Sequence, residues 1–180
     1  PKGIRSVTSV TEVFGTGQQI THIIVEFNER VVNSQLTKNT FTVSDRTVEK
    51  IYSNTRPERT DIVKDGRFVI IELNPKDSGA SLRLEGNDEV GFQMKKATSK
   101  ITQKEDILFT NGKKLEKSIA ILENNKIKNL IVENFKQFVY KDTKTGTTVK
   151  YNLYIPKNYD KNKKYPLVLF MHDAGVLSED

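Results

Sequence analysis

Hydrophobic and polar residues alternate through much of the first half of this chain. Residues 19–28 show the pattern most clearly, because alternate side chains form one apolar face: Thr21, Ile23, Val25 and Phe27. The opposite face carries Ile20, His22, Ile24 and Glu26. A period of two residues is typical of a half-buried β-strand. We therefore predict a strand here, with His22 at the surface and without a role as a ligand.

Turn residues separate further short runs of the same kind. The pattern predicts additional strands at residues 4–14, 40–43, 48–52, 61–63, 67–73, 81–84, 90–94, 100–103 and 107–109. Asp65 and Gly66 predict a hairpin turn between two of these runs. Closely spaced strands without a long helical period indicate an immunoglobulin-like β-sandwich. We assign that sandwich to residues 1–115.

The pattern weakens after residue 115. Leu115, Ile119, Leu122 and Ile127 have a weak helical spacing, which Asn124 and Asn125 interrupt. We interpret residues 116–130 as a linker or a short docking segment.

Residues 131–180 show a third pattern. Residues 130–140 predict a strand, and residues 147–155 alternate with their apolar side chains on one face: Val149, Tyr151, Leu153 and Ile155. Residues 167–171 form a continuous apolar run. Such a run predicts a strand inside a mostly parallel sheet, with both faces of the strand buried. We therefore predict that this part of the chain forms the first strands of a larger α/β sheet, of which most strands are missing.

Composition excludes several classes of protein and site. The net charge is +6, but the lysines form isolated pairs without interleaved aromatic residues, which does not favour nucleic-acid binding. The chain has no cysteine, so disulfides, cysteine-based zinc sites and a thiol nucleophile are excluded. No apolar run reaches the roughly 18 residues of a membrane span.

Carboxylates and aromatic side chains suggest two other sites, neither of which is favoured. The loop carboxylates do not have the spacing of an EF-hand, so no metal or other cofactor is predicted: Asp61, Asp65, Asp77, Asp88 and Glu89. A few aromatic residues could line a sugar-binding face, but without tryptophan we favour core packing for them: Tyr52, Phe68, Phe92 and Phe109.

Two segments near the end of the chain carry a resemblance to a known family. They are residues 151–159, Tyr-Asn-Leu-Tyr-Ile-Pro-Lys-Asn-Tyr, and residues 165–175, Tyr-Pro-Leu-Val-Leu-Phe-Met-His-Asp-Ala-Gly. Both resemble the start of the catalytic domain in α/β-hydrolase esterases, most of all bacterial carboxylesterases with an N-terminal immunoglobulin-like domain. The resemblance implies that residues 131–180 are the N-terminal fragment of the hydrolase domain. It also implies a secreted or cell-envelope location.

The same resemblance implies a role for the loop after residue 171. In such enzymes this loop supplies a backbone N–H to the oxyanion hole. The corresponding residues here are His172, Asp173, Ala174 and Gly175, and the donor would be the N–H of Asp173 or Ala174. Asp173 replaces the more common glycine, and its carboxylate is expected to point away from the oxyanion. The family's Gly-x-Ser-x-Gly motif does not occur in the 180 residues, so we do not expect them to hydrolyse an ester.

Two functions from different classes follow. In the first, the chain is the accessory domain and the first strands of a serine carboxylesterase, with the rest of the hydrolase domain as its partner. The accessory domain would shape the substrate entrance or form homo-oligomers. In the second, the chain is a free-standing β-sandwich for binding or adhesion. Because residues 167–171 would leave an unpaired apolar edge, we expect them to be disordered, swapped or paired in a dimer.

Overall fold

The structure is a computed structural model that describes residues 3–84 and 93–171. Within those ranges there are two short 3₁₀ turns but no α-helix, and hence no helix long and apolar enough to cross a membrane. The strands in chain order are β1 (Ile4–Phe14), β2 (Gly17–Val31), β3 (Phe41–Val43), β4 (Val48–Asn54), β5 (Gly66–Leu73), β6 (Arg83–Leu84), β7 (Gln93–Met94), β8 (Lys100–Gln103), β9 (Ile107–Leu108), β10 (Lys114–Leu115), β11 (Ile121–Glu123), β12 (Lys126–Asn129), β13 (Phe135–Lys141) and β14 (Thr148–Tyr154).

The chain forms two compact units. Of the described residues, the first unit comprises residues 3–83 and 95–129, and the second comprises residues 84, 93–94 and 130–171.

The first unit contains a five-stranded sheet and a three-stranded sheet. The strand order is β12-β1-β2-β5-β4 in the first and β11-β8-β3 in the second. Neighbouring strands are antiparallel, except that β12 runs parallel to β1. This arrangement confirms the predicted β-sandwich.

The core of the first unit combines apolar side chains from both sheets. From the larger sheet come Val7, Ile23, Val25, Ile51, Val69 and Ile71, and from the smaller one Phe41, Val43 and Ile101. Phe27 and Phe109 meet edge to face, with ring centroids 5.9 Å apart. Burial of each such side chain stabilises the fold by about 1.5–3 kcal/mol. Phe109 is therefore a core residue, as predicted.

The predicted hairpin at Asp65-Gly66 is wrong. Residues 61–63 are not a strand, and β5 pairs instead with β4 and β2. A Cβ atom on Gly66 would overlap the backbone carbonyl of Asn54. The glycine is therefore required where two backbones approach closely, and it does not form a tight turn.

His22 is buried and does not lie at the surface as predicted. The pairing of β1 with β2 shifts register between Val10 and Thr11, which leaves Thr21 as an extra residue in β2. Ile20 consequently joins the core, and His22 lies on the opposite face, where only 2% of its surface is exposed.

The segment interpreted as a linker or docking segment carries β11 and β12. Asn124 uses both its backbone N–H and its side-chain Oδ1 to bond the backbone of Ser99. Asn125 does the same with Val7 on β1. These two side chains fasten the segment to the sandwich, so that the compact unit extends to Asn129.

In the second unit, β13 and β14 form an antiparallel hairpin. The strand predicted at residues 147–155 agrees closely with β14, whereas the strand predicted at residues 130–140 begins only at Phe135, after a 3₁₀ turn at Val132–Asn134. Residues 167–171 do not form the predicted buried strand. No strand is assigned to them, and each of their side chains is between 78% and 87% exposed. A buried strand needs neighbours on both edges, and none pairs with this segment among the described residues.

Candidate functional site

The predicted oxyanion loop lies outside the residues that the structure describes. His172, Asp173, Ala174 and Gly175 follow directly on residue 171, where the described range ends. The role of this loop therefore stays a prediction. The geometry relevant to function comes from two other places, one in each unit.

In the second unit, the β13–β14 hairpin has two chemically different faces. Side chains of directly paired residues share a face. One face, which we call the apolar face, carries Phe138, Tyr140, Val149, Tyr151 and Leu153, with Lys136 as its one charged residue. The other face carries Phe135, Gln137, Val139, Lys141, Thr148, Lys150, Asn152 and Tyr154. The rings of Phe138 and Tyr151 stack with centroids 5.5 Å apart.

The apolar face of this hairpin is exposed to a degree that is unusual for a folded domain. Phe138 is 39% exposed, Tyr140 58% and Tyr151 45%. Exposed apolar faces of this kind are typical of interaction surfaces and ligand-binding grooves.

In the first unit, the face of the larger sheet that points away from the core is buried at its centre, whereas Lys50 and Lys126 at its margins are exposed. We call it the outer face. One row across it runs Lys126–Thr8–Ile24–Ile70–Tyr52, and the next runs Lys128–Val10–His22–Glu72–Lys50. Val10, Ile24 and Ile70 are no more than 3% exposed.

A loop that we call the strap, residues 55–64, is bonded to the outer face through Arg59, through Thr60 and through the carbonyl of Glu58, which accepts from Asn54 Nδ2 on β4 at 2.9 Å. Arg59 Nη2 donates to both carboxylate oxygens of Glu12, at 2.8 and 2.6 Å. The backbone N–H of Thr60 donates to the hydroxyl of Tyr52 at 3.1 Å. Since Glu12 lies on β1 and Tyr52 on β4, the bonds to these two residues span the width of β2 and β5.

His22 lies under this arrangement in a neutral state. Burial, and then the positive charges of Arg59 and Lys128, lower the pKa of His22 to about 3. Its Nδ1 lies 2.9 Å from the hydroxyl oxygen of Thr21. A histidine that stays neutral near neutral pH, with a cation on each side, is unsuited to act as a proton shuttle there.

Tyr52 is locked in its protonated state. Its hydroxyl donates to Glu72 Oε1 at 2.6 Å. Burial and this bond to Glu72 raise the pKa of Tyr52 above its ordinary value. Tyr52 is buried on the outer face and not in the sandwich core, so the prediction of core packing holds for it only in the sense of burial.

A shallow groove of about 430 Å³ beside β3 is lined in part by Lys38, Lys104 and Arg46. Arg46 is fully engaged within the fold, because its guanidinium bonds to Asp77 and to the carbonyls of Ile20 and Asn74. Its role is therefore structural. Among the described residues, no group of three His, Asp or Glu side chains could hold a metal ion.

The polar residues of the outer face were missed by the sequence analysis. Strand parity alone would have placed His22 and Glu72 on one face once their pairing was known. The contribution of Arg59 had no local signal, since it depends on how the strap crosses the sheet.

Comparisons with known proteins agree with this architecture. The crystal structure of a thermostable esterase matches with a TM-score of 0.79 and 26% sequence identity, over 90% of this chain and 45% of that chain. The chain thus spans less than half the length of that solved esterase. A comparison with curated protein sequences gives no match.

A family model described as the esterase Ig-like N-terminal domain matches residues 6–116. Those residues span β1 to β10 and thus all strands of the two sheets except β11 and β12. They make up more than half of the chain. The chain therefore belongs to the family of esterase Ig-like N-terminal domains.

Proposed function

We propose that the chain provides the accessory Ig-like domain and the first strands of the catalytic domain of a serine carboxylesterase. In this proposal the described residues do not themselves catalyse hydrolysis. The observation that carries it is the order of two features along the chain. A domain of the esterase family over residues 6–116 is followed by an amphipathic hairpin whose apolar face is exposed.

The hairpin supports the rest of the hydrolase domain as the partner. Two strands alone are marginally stable in water, and an apolar face needs further strands or helices against it. The solved esterase extends well beyond the part that this chain matches, which leaves room for such elements in a longer protein. We propose that residues 131–180 begin this domain, with the predicted oxyanion loop at residues 172–175, in a bacterial protein that is secreted or held in the cell envelope.

The role of the Ig-like domain in the proposal is to shape the substrate entrance or to form homo-oligomers. A rigid sandwich suits either role, because loops at its ends can reach over a neighbouring site without loss of the core. Tyr52 and Arg46 are hydrogen-bonded within the fold, and the pKa of His22 is lowered to about 3, which favours a structural role over a catalytic one for these side chains.

The first test is hydrolysis of short-chain p-nitrophenyl esters. It compares the 180-residue chain with the native reading frame continued past Asp180. We expect activity in the longer protein alone. An inert longer protein, or a reading frame that ends at Asp180, would favour a free-standing binding or adhesion module.

A second test addresses the hairpin within the longer protein. Tyr151→Lys places a charge on the apolar face, and the neighbouring Asn152→Lys places the same charge on the opposite face. We expect Tyr151→Lys to lower the yield of active enzyme at least tenfold, because a lysine would be buried without a partner. Equal effects of the two substitutions would contradict the proposed packing of this face.

A further inference from the structure

The strap, residues 55–64, has the geometry of a loop that can open without disturbing the sandwich. Its two ends meet, because Lys64 donates its N–H to the carbonyl of Ser53 at 3.2 Å while Ser53 Oγ bonds the carbonyl of Lys64 at 2.9 Å. Between these ends nearly all side chains are exposed, including Ile62 at 72%. Compact surface loops with close ends can move as units.

Three bonds among the described contacts tie the middle of the strap to the outer face. They are the Arg59–Glu12 ion pair, the bond from Thr60 to Tyr52, and the bond from Asn54 Nδ2 on β4 to the carbonyl of Glu58; of these, only the first joins opposite charges. The ion pair is partly exposed, with 41% of the Arg59 side chain and 27% of the Glu12 side chain accessible. A partly exposed pair is weakened by salt, because mobile ions screen it.

We propose that the strap is a salt-sensitive cover, which the Arg59–Glu12 ion pair holds closed over His22 and Tyr52. Loss of the pair lets the strap swing out about its fixed ends and exposes this part of the outer face. The charged or titratable groups around His22 are Arg59 on the strap, Lys128 on β12 and Glu72 on β5; Glu12 bonds Arg59, and Tyr52 bonds Glu72. With Arg59 removed by opening, His22 loses a neighbouring cation and gains access to water.

The test uses Glu12→Gln, which removes the ion pair without changing the strap itself. Glu58→Gln is the matched control, since Glu58 lies in the strap and pairs only locally with Arg56. Trypsin can cut the strap after Arg59 and after Lys64, whereas Pro57 protects the bond after Arg56. Mass spectrometry then gives the cleavage rate at these two positions.

We expect Glu12→Gln to be cut in the strap about two- to fivefold faster than Glu58→Gln at low salt. Raising the salt should accelerate cleavage of the unmodified chain and of Glu58→Gln but leave Glu12→Gln unchanged. Equal rates in the two variants, or a salt effect that persists in Glu12→Gln, would overturn the proposal.

Two further measurements distinguish opening of the strap from general unfolding. Hydrogen exchange at the core residue Ile71 should stay the same in Glu12→Gln and Glu58→Gln, while the Thr60 amide exchanges faster in Glu12→Gln. The pKa of His22, followed by NMR, should rise in Glu12→Gln because water reaches the ring. Loss of the Glu12 carboxylate without opening would not raise it, since removing an anion disfavours the charged imidazolium. Faster exchange at Ile71 or an unchanged His22 titration would also refute the inference.

Discussion

The hydroxyl of Tyr52 on β4 lies 2.6 Å from Oε1 of Glu72 on β5, and it also accepts the N–H of Thr60 at 3.1 Å. One phenol thus joins two strands and the strap on the outer face of the sheet. Burial and the bond to Glu72 raise the pKa of Tyr52, so the phenol remains a donor to Glu72 across the ordinary pH range.

Replacing Tyr52 with Phe should remove both bonds and leave the ring in place. We expect the free energy of unfolding to fall by about 1–2 kcal/mol, because Glu72 loses a donor and the Thr60 N–H loses its acceptor. A double-mutant cycle with Glu72→Ala, which removes the acceptor, isolates the pair when measured by urea denaturation and should give a coupling of about 1 kcal/mol. Additive effects of the two substitutions would show that the hydrogen bond contributes nothing.

Replacing Gly66 with Ala should be far more costly than its size suggests. The new Cβ would overlap the backbone carbonyl of Asn54, and a backbone in a paired strand cannot move aside cheaply. We expect a loss of more than about 3 kcal/mol in the free energy of unfolding.

Gly15→Ala is the matched control, because a Cβ on Gly15 would meet no atom within 4 Å. Its stability should change by less than about 0.5 kcal/mol. Thermal denaturation of the two variants gives the comparison, and similar midpoints would show that β4 and β5 can separate locally at Gly66.

Burial of His22 should make the first unit less stable in mild acid. The pKa of His22 is about 3 in the folded chain, against about 6.5 in an unfolded one, so the unfolded state binds the proton more readily. Protonation of His22 therefore does not lower the free energy of unfolding above pH 6.5, and it lowers this free energy progressively as the pH falls from 6.5 towards 3. Between pH 7 and pH 5 we expect a loss of about 2 kcal/mol.

Urea denaturation at pH 7 and at pH 5 measures this loss. His22→Gln is the control, since a glutamine does not titrate and its stability should change much less over the same interval. Asp77, whose pKa is lowered by the backbone N–H of Thr47, takes up protons only at more acidic pH and does not interfere. An equal slope in the unmodified chain and in His22→Gln would assign the pH dependence to other groups.

Local sequence patterns predicted many of the strands but not which strands pair, because pairs such as β3 with β8 join distant parts of the chain. The alternation around Ile23 and Val25 was sufficient to place β2 and its core face. The prediction of a hairpin at Asp65-Gly66 was wrong because the glycine is required by its close approach to the backbone of Asn54 on β4. No local sequence rule predicts that contact. The predicted surface position of His22 was wrong for a different reason: the centre of the outer face is covered, and local alternation does not show whether a second face is covered.

The predicted site shows the same division between local and long-range information. The amphipathic character of the hairpin was readable from Val149 and Tyr151, because a period of two fixes which side chains share a face. The contact of Arg59 with Glu12 joins positions 47 residues apart, and only the folded topology brings them together. The oxyanion loop at residues 172–175 rests on resemblance alone and stays a prediction.

The backbone of Ile131 is strained in a way that can be tested by substitution. Ile131 has φ 70° and ψ −50°, and the N–H of Val132 bonds the carbonyl of Leu130 at 2.8 Å. This is a γ-turn with positive φ, which is rare and unfavourable for a β-branched residue. The strain costs about 1–2 kcal/mol. The side chain does not compensate for it by burial, because it is 63% exposed.

Ile131→Gly should therefore leave the free energy of unfolding unchanged or raise it by up to about 1 kcal/mol, since relief of the strain offsets the greater freedom of glycine in the unfolded chain. The neighbouring Val132 provides the control, being also β-branched and 44% exposed but without a positive φ. There the same substitution relieves nothing and should lower the free energy of unfolding by about 1 kcal/mol. The calorimetric midpoint should accordingly fall for Val132→Gly and stay the same or rise for Ile131→Gly, relative to the unmodified chain. If both fall equally, the turn at Ile131 stores no strain, and the positive φ is tolerated without cost.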